Sequence, residues 1–104
     1  MKKVYIVSAK RTAIGTLNGS LSSMIPSDFA AEVIRAVLAE TGIPTAALTE
    51  VLGGSVLPAG NGQGVIRQAS IRAGIPVDVP AYAINMVCGS GMKAVMLACA
   101  QAQA

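Results

Sequence analysis

Histidine and tryptophan are both missing from this chain of 104 residues. Without histidine, no imidazole-based metal centre can be built within it. Its two cysteines, Cys88 and Cys99, match neither a zinc-ligand spacing nor a disulfide framework. No metal is therefore expected. Charge is also scarce: 12% of the residues are charged, against about 25% in ordinary globular chains. The net charge of +3 is spread thinly, with Lys2–Lys3 and Lys10–Arg11 as adjacent pairs. No basic stripe interleaves with aromatics, which make up 3% of the chain, so nucleic acid is not an expected partner. Long apolar runs are absent too. The opening "MKKVYIVSAKR" begins like a secretory leader, but Val4–Val7 is too short for one and Lys10–Arg11 ends it. No run approaches the ~18 apolar residues that a membrane span needs. No membrane association is expected, and the chain reads as cytoplasmic.

What the chain does have is aliphatic bulk. It is 53% hydrophobic, rich in alanine and poor in polar residues to cover its own surface. Such a composition suits a buried piece of something larger, or a large self-association interface. The length allows one small domain.

The order of patterns is strand, helix, strand, helix, strand, helix. Val4–Val7 is a continuous apolar run, as in a parallel strand buried on both faces. A Gly/Ser/Thr-rich loop leads to Pro26, where Ser27 suits an N-cap and Asp28 the positive end of a helix. Phe29, Ala30, Val33, Ile34, Val37 and Leu38 then recur at helical spacing. The helix stops at "GIP", residues 42 to 44, with Gly42 as a left-handed cap and Ile43 folding back. The same "GIP" recurs at 74 to 76, after a second helix of about residues 64 to 74. Strands are expected from Val51 to Leu57 and from about Pro80 to Val87. Gly53–Gly54 inside the first of these implies a bulge or a close backbone approach. The fold class is α/β, with three βα units on a parallel sheet in the order 3-2-1.

The last helix is apolar all round from Met92 to Ala104, apart from Lys93, Gln101 and Gln103. A helix without a polar face is expected to be buried on every side. The sequence also stops inside this helix without a stop signal. The expectation is therefore a truncated unit, with residues 1–104 as the N-terminal part of a larger domain.

One stretch carries chemistry: "NMVCGSGMKAV", residues 85 to 95. It puts Cys88 where a parallel strand ends and a helix begins. That edge of an α/β sheet is where ligands bind. Unpaired helix N–H groups and the macrodipole favour a thiolate there. Gly89 and Gly91 leave room for a sharp turn and an approaching substrate. On spacing alone a nucleophile and a small apolar filler fit Cys88 equally well, since free cysteine is often buried.

The segment "INMVCGSGMKAV" resembles the acyl-accepting segment of the thiolases. Asn85, Cys88, Gly89, Ser90, Gly91 and Met92 follow that family's pattern in order. "VYIVSAKRTAIGTLNGSL", "GNGQGVIRQASIRAGIP" and "VPAYAIN" resemble its opening strand and loop, second helix and third strand. The similarity runs through the whole chain. It implies a layered thiolase-type fold, of which this is the N-terminal portion. It implies that Cys88 is the nucleophile of a reversible condensation of two acetyl-CoA to acetoacetyl-CoA plus CoA, through an acetyl-cysteine. Coenzyme A thioesters are then the substrates and no further cofactor is implied. The Cys88 amide would be one donor to the developing oxyanion. Such enzymes also use histidines and a second reactive cysteine, none of which this chain supplies, so the 104 residues alone are expected to be inactive. The resemblance further implies a homodimer or homotetramer, joined through the third strand. A 3-ketoacyl-CoA thiolase of broader chain length shares these segments. A ketoacyl synthase fits "GNGQ" and "NMVCGSG" less well, and a non-catalytic scaffold module is the rival from another class.

The remaining features read as structural. Cys99 follows Cys88 by about three helical turns, too far for a disulfide, and is expected in the core. "GNGQG", residues 60 to 64, lacks the Lys-Ser/Thr of a phosphate loop and is expected to shape a pocket or subunit contact. Asn85 is either an anchor for the Cys88 turn or an ordinary satisfied amide. Lys93 is expected to solvate one helix edge. Arg67 and Arg72 are expected to be surface or interface charges.

Overall fold

The computed structural model describes residues 1–104. Its first regular element is helix α1, Pro26–Thr41, with Ile25 at the N-cap and Pro26 in the first turn. Proline suits that position because its fixed φ is helical and the missing N–H would have had no partner. Ser27 is therefore not the cap that the sequence suggested. It lies inside the first turn, 2% exposed, and its hydroxyl accepts a hydrogen bond from the Arg72 guanidinium. The same guanidinium ion-pairs with Asp28, and Arg35 donates to the Arg72 carbonyl at 2.6 Å. Arg72 is thus a staple between helices rather than a free surface charge.

A short 3-10 turn, Thr45–Ala47, leads to strand β1, Val51–Gly54; helix α2, Val65–Arg72; strand β2, Ala81–Ile84; and helix α3, Ser90–Gln103. β1 and β2 form a parallel pair in register Val51↔Ala81 through Gly54↔Ile84. The ladder is closed at its ends by Val51 N–H to Pro80 C=O at 2.9 Å and Ser55 N–H to Ile84 C=O at 3.0 Å. Both strands are shorter than the sequence implied, because the chain turns away after Gly54 and again after Ile84.

The paired glycines explain the layering. Successive strand residues face opposite sides of a sheet. A Cβ on Gly53 would collide with the Ile66 side chain of α2, and one on Gly54 would lie 2.5 Å from the Gly91 nitrogen of α3. So α2 and α3 cover opposite faces, and the strand needs glycine to let both come close. The expected close approach is real, and it is made to α3 backbone. The core between these layers is small: Ala31 from α1, Val65, Ile66 and Ala69 from α2, Ile75, Val79, and Ala94 from α3.

The repeated helix exit works twice as backbone and once as packing. Gly42 and Gly74 both take left-handed angles, φ 67° and 86°. Ile75 N–H then bonds back to Ser70 C=O at 3.0 Å and its side chain is 4% exposed. Ile43 remains 38% exposed.

Two further expectations are corrected. Val4–Val7 is not a strand: residues 1–15 make no backbone–backbone hydrogen bond, and Tyr5, Ile6 and Val7 are exposed. The sheet therefore has two strands, within the expected α/β class. The segment passes instead beside α1, held by a Lys10–Glu40 ion pair. Ser8 and Thr12 border apolar hollows of about 480 and 520 Å³ lined by α1 and β1. Nor is α3 buried on all sides. Ala94 and Ser90 face the sheet, while Met92, Val95 and Met96 are exposed. An apolar run states what a segment would gain by burial, but no face is buried without a neighbour to cover it.

Candidate active site

Cys88 lies in the turn between β2 and α3, four residues after the strand ends and two before the helix begins, and it is exposed. It is neither mid-strand nor an apolar filler. The turn is unusual. Val87, a β-branched residue, takes φ 50°, a left-handed conformation that costs such a residue on the order of 1–3 kcal/mol. That conformation persists only if its surroundings over-determine it, and they do.

Two side chains hold the Val87 peptide groups. Asn85 Oδ1 accepts from Val87 N–H at 3.0 Å, while Asn85 Nδ2 donates to Val56 C=O at 3.0 Å, tying the turn to the segment after β1. Asn85 is thus an anchor, one of the two readings open from the sequence. Ser90, 2% exposed, accepts from Met86 N–H at 2.8 Å and donates to Val87 C=O at 2.6 Å. The backbone adds Gly89 N–H to Met86 C=O and Ser90 N–H to Val87 C=O, both at 3.1 Å. Met86 also lays its terminal methyl over Gly89, where a Cβ would sit 2.5 Å from it. From Met86 to Ser90, every amide but one has a protein acceptor. The exception is Cys88.

An exposed thiol beside its own unpaired amide, at a helix N-terminus, can take an acyl group and donate to the oxygen of the tetrahedral intermediate. The site stands open, since Cys88 is exposed and lies outside five surface hollows. One of them, about 370 Å³, runs along β2 from Ala81 and ends at Asn85; Pro58 and Gly64 border its other side. The 60–64 loop therefore shapes a groove near the turn. Gln68 Nε2 fills its concave side, donating to Asn61 C=O at 2.7 Å and Gln63 C=O at 3.0 Å.

The other singled-out residues lie elsewhere. Cys99 is half-buried on α3, and both cysteines are free. Lys93 is half-exposed on the first turns of α3. Arg67 donates to Val79 C=O at 2.7 Å and so braces the approach to β2 instead of standing free. Sequence reasoning missed Ser90 as a holder of the turn. Its signal was a small hydroxyl residue at the helix start, two positions after the cysteine. It also missed the Val87 conformation, for which a valine gives no signal at all.

The family model described as "Thiolase, N-terminal domain" matches residues 4–104. The chain belongs to the thiolase family. Among curated thiolase relatives, an "Acetyl-CoA acetyltransferase" of Cupriavidus necator is 52% identical over 98 residues, 94% of this chain and 25% of that protein. One of Pseudomonas aeruginosa is 50% identical over 97 residues, 93% of this chain and 25% of that protein. A mouse protein named "Acetyl-CoA acetyltransferase, cytosolic" is 50% identical over 95 residues, 91% of this chain and 24% of that protein. This thiolase chain thus spans about a quarter of the length of the relatives it matches.

Proposed function

We propose that this chain supplies the acyl-accepting cysteine of an acetyl-CoA acetyltransferase. The observation that carries the reading is the exposed Cys88 thiol next to the one unpaired amide of its turn. The names of the relatives at about half identity support the substrate.

The Cys88 thiolate attacks the thioester carbonyl of acetyl-CoA. The tetrahedral oxyanion is met by the Cys88 N–H, and its collapse breaks the carbon–sulfur bond to coenzyme A, which leaves as a thiolate and takes up the proton that the Cys88 thiol gave up on ionising. One thioester replaces another, so the step is nearly balanced and reversible. A second acetyl-CoA then gives up an α-proton to a base. Its carbon attacks the acetyl-cysteine, a carbon–carbon bond forms, and the Cys88 thiolate is expelled as acetoacetyl-CoA is released. No histidine is present among these 104 residues to activate the Cys88 thiol. The activating histidine and the cysteine acting as acid/base are proposed to lie outside these 104 residues, which alone are expected to be inactive.

No helix is long and apolar enough to cross a membrane. A cytoplasmic location is proposed with it, on the strength of the cytosolic mouse relative. Self-association through the free edge of β2 is the proposed route to a homodimer or homotetramer. Beyond coenzyme A thioesters, no cofactor enters the proposed chemistry. The test is thiolysis of acetoacetyl-CoA by the whole protein and by its Cys88→Ser variant. Loss of turnover in the variant is expected. A variant that turns over like the wild type overturns the assignment.

A further inference from the structure

We propose that Ser90, with Asn85, is a positioning residue that aims the Cys88 amide and thiol. The inference rests on the acyl-cysteine reading and deepens it. Its basis is the peptide unit that joins Val87 to Cys88. The Val87 carbonyl and the Cys88 N–H belong to one rigid plane and point in opposite directions, because the bond is trans. Whatever fixes that carbonyl therefore fixes the direction of the amide. Ser90 fixes it twice, through its hydroxyl at 2.6 Å and its own N–H at 3.1 Å. Both bonds pull the carbonyl toward the start of α3, so the Cys88 N–H faces away from the helix. Two donors on the carbonyl also polarise the plane and strengthen its N–H as a donor.

The hydroxyl has a second task. By accepting from Met86 N–H at 2.8 Å, it removes a competing donor from the mouth of the turn and ties β2's exit to the helix. Asn85 completes the grip from the other side, at Val87 N–H. With both peptide groups of Val87 held, its φ of 50° is kept, although a valine would otherwise leave it. Without the Ser90 hydroxyl, one of the two bonds on the carbonyl is lost and Met86 N–H loses its acceptor. The plane can then rotate, carrying the oxyanion donor off its target.

Four variants of the whole protein test this: Ser90→Ala, Ser90→Thr, Asn85→Ala and Cys88→Ser. For Ser90→Ala, kcat should fall roughly 10- to 100-fold, the scale of a misplacement near 1 Å. The KM for acetyl-CoA should move less than about threefold, because the groups lost position the transition state more than the substrate. Ser90→Thr keeps a hydroxyl and should return kcat to within roughly threefold of wild type. If Ser90→Ala does not fold, Asn85→Ala, whose side chain is exposed, carries the same kcat-selective expectation. A folded Ser90→Ala protein with lower thermal stability but wild-type kcat would overturn the positioning role, as would a threonine variant no better than alanine. In either case an inactive Cys88→Ser protein leaves the acyl-cysteine reading standing. An active Cys88→Ser protein overturns that reading and this inference together.

Discussion

Substituting Gly54 by alanine perturbs the site without touching it. The new methyl would lie 2.5 Å from both the Gly91 nitrogen and the Ser90 carbonyl carbon, where ordinary contact begins at 3.4 Å. The shortfall is about 0.9 Å, and the atoms it meets are backbone, so no rotamer change relieves it. Either the start of α3 withdraws or the end of β1 leaves β2, giving up the Ser55–Ile84 hydrogen bond. Overpacking of this kind costs about 1–3 kcal/mol. The withdrawal drags Ser90, and with it the plane that carries the Cys88 amide. Acetyl transfer by the proposed enzyme should therefore lose up to about 100-fold in kcat. Gly42→Ala is the control. It meets open space and suffers only from its φ of 67°, at about 1–2 kcal/mol, and so should lower thermal stability comparably while leaving kcat alone. The assay is steady-state turnover with acetyl-CoA beside a thermal melt. A Gly54→Ala protein with wild-type kcat would refute the claim that the β1–α3 approach sets the site.

Two further outcomes follow from the packing. Ile75→Ala should cost about 2–5 kcal/mol, because Ile75 is 4% exposed, and Ile43→Ala distinctly less, because Ile43 is 38% exposed. Denaturant unfolding of the two variants checks the order, and equal losses would contradict it. The Tyr82 hydroxyl is pushed above its ordinary 10.0, first by desolvation and then by the hydrogen bond and charge of Glu50. A raised phenol favours the protonated form in the fold, so its contribution to stability is whole below 10.0 and is lost as pH climbs past that value. Glu50→Gln should move the alkaline absorbance titration of Tyr82 to lower pH; a titration that stays or moves upward would count against the contact.

What could be seen in the letters was local. Gly42 and Gly74 announce their helix ends because left-handed backbone strongly favours glycine. Gly53–Gly54 announces a bulge or a close approach because a strand interior otherwise gains from side chains. The turn at Cys88 was legible because an apolar strand, two glycines and a helical run meet there. The rest depended on partners far along the chain. Ser27 reads as a cap until Arg72 arrives from α2 to take its hydroxyl. Val4–Val7 has the composition of a strand, but a strand exists only when another donates to it, and no residue number encodes that neighbour. The left-handed Val87 was invisible for the opposite reason: its own preference is against the conformation, which Asn85 and Ser90 impose.

The most direct measurement is mass spectrometry of the whole protein after brief mixing with acetyl-CoA, quenched in acid and digested. One acetyl group is expected on the peptide bearing Cys88, lost when coenzyme A is added before the quench. Acetyl found on Cys99 or another residue, with the Cys88 peptide unmodified in an active enzyme, would contradict it.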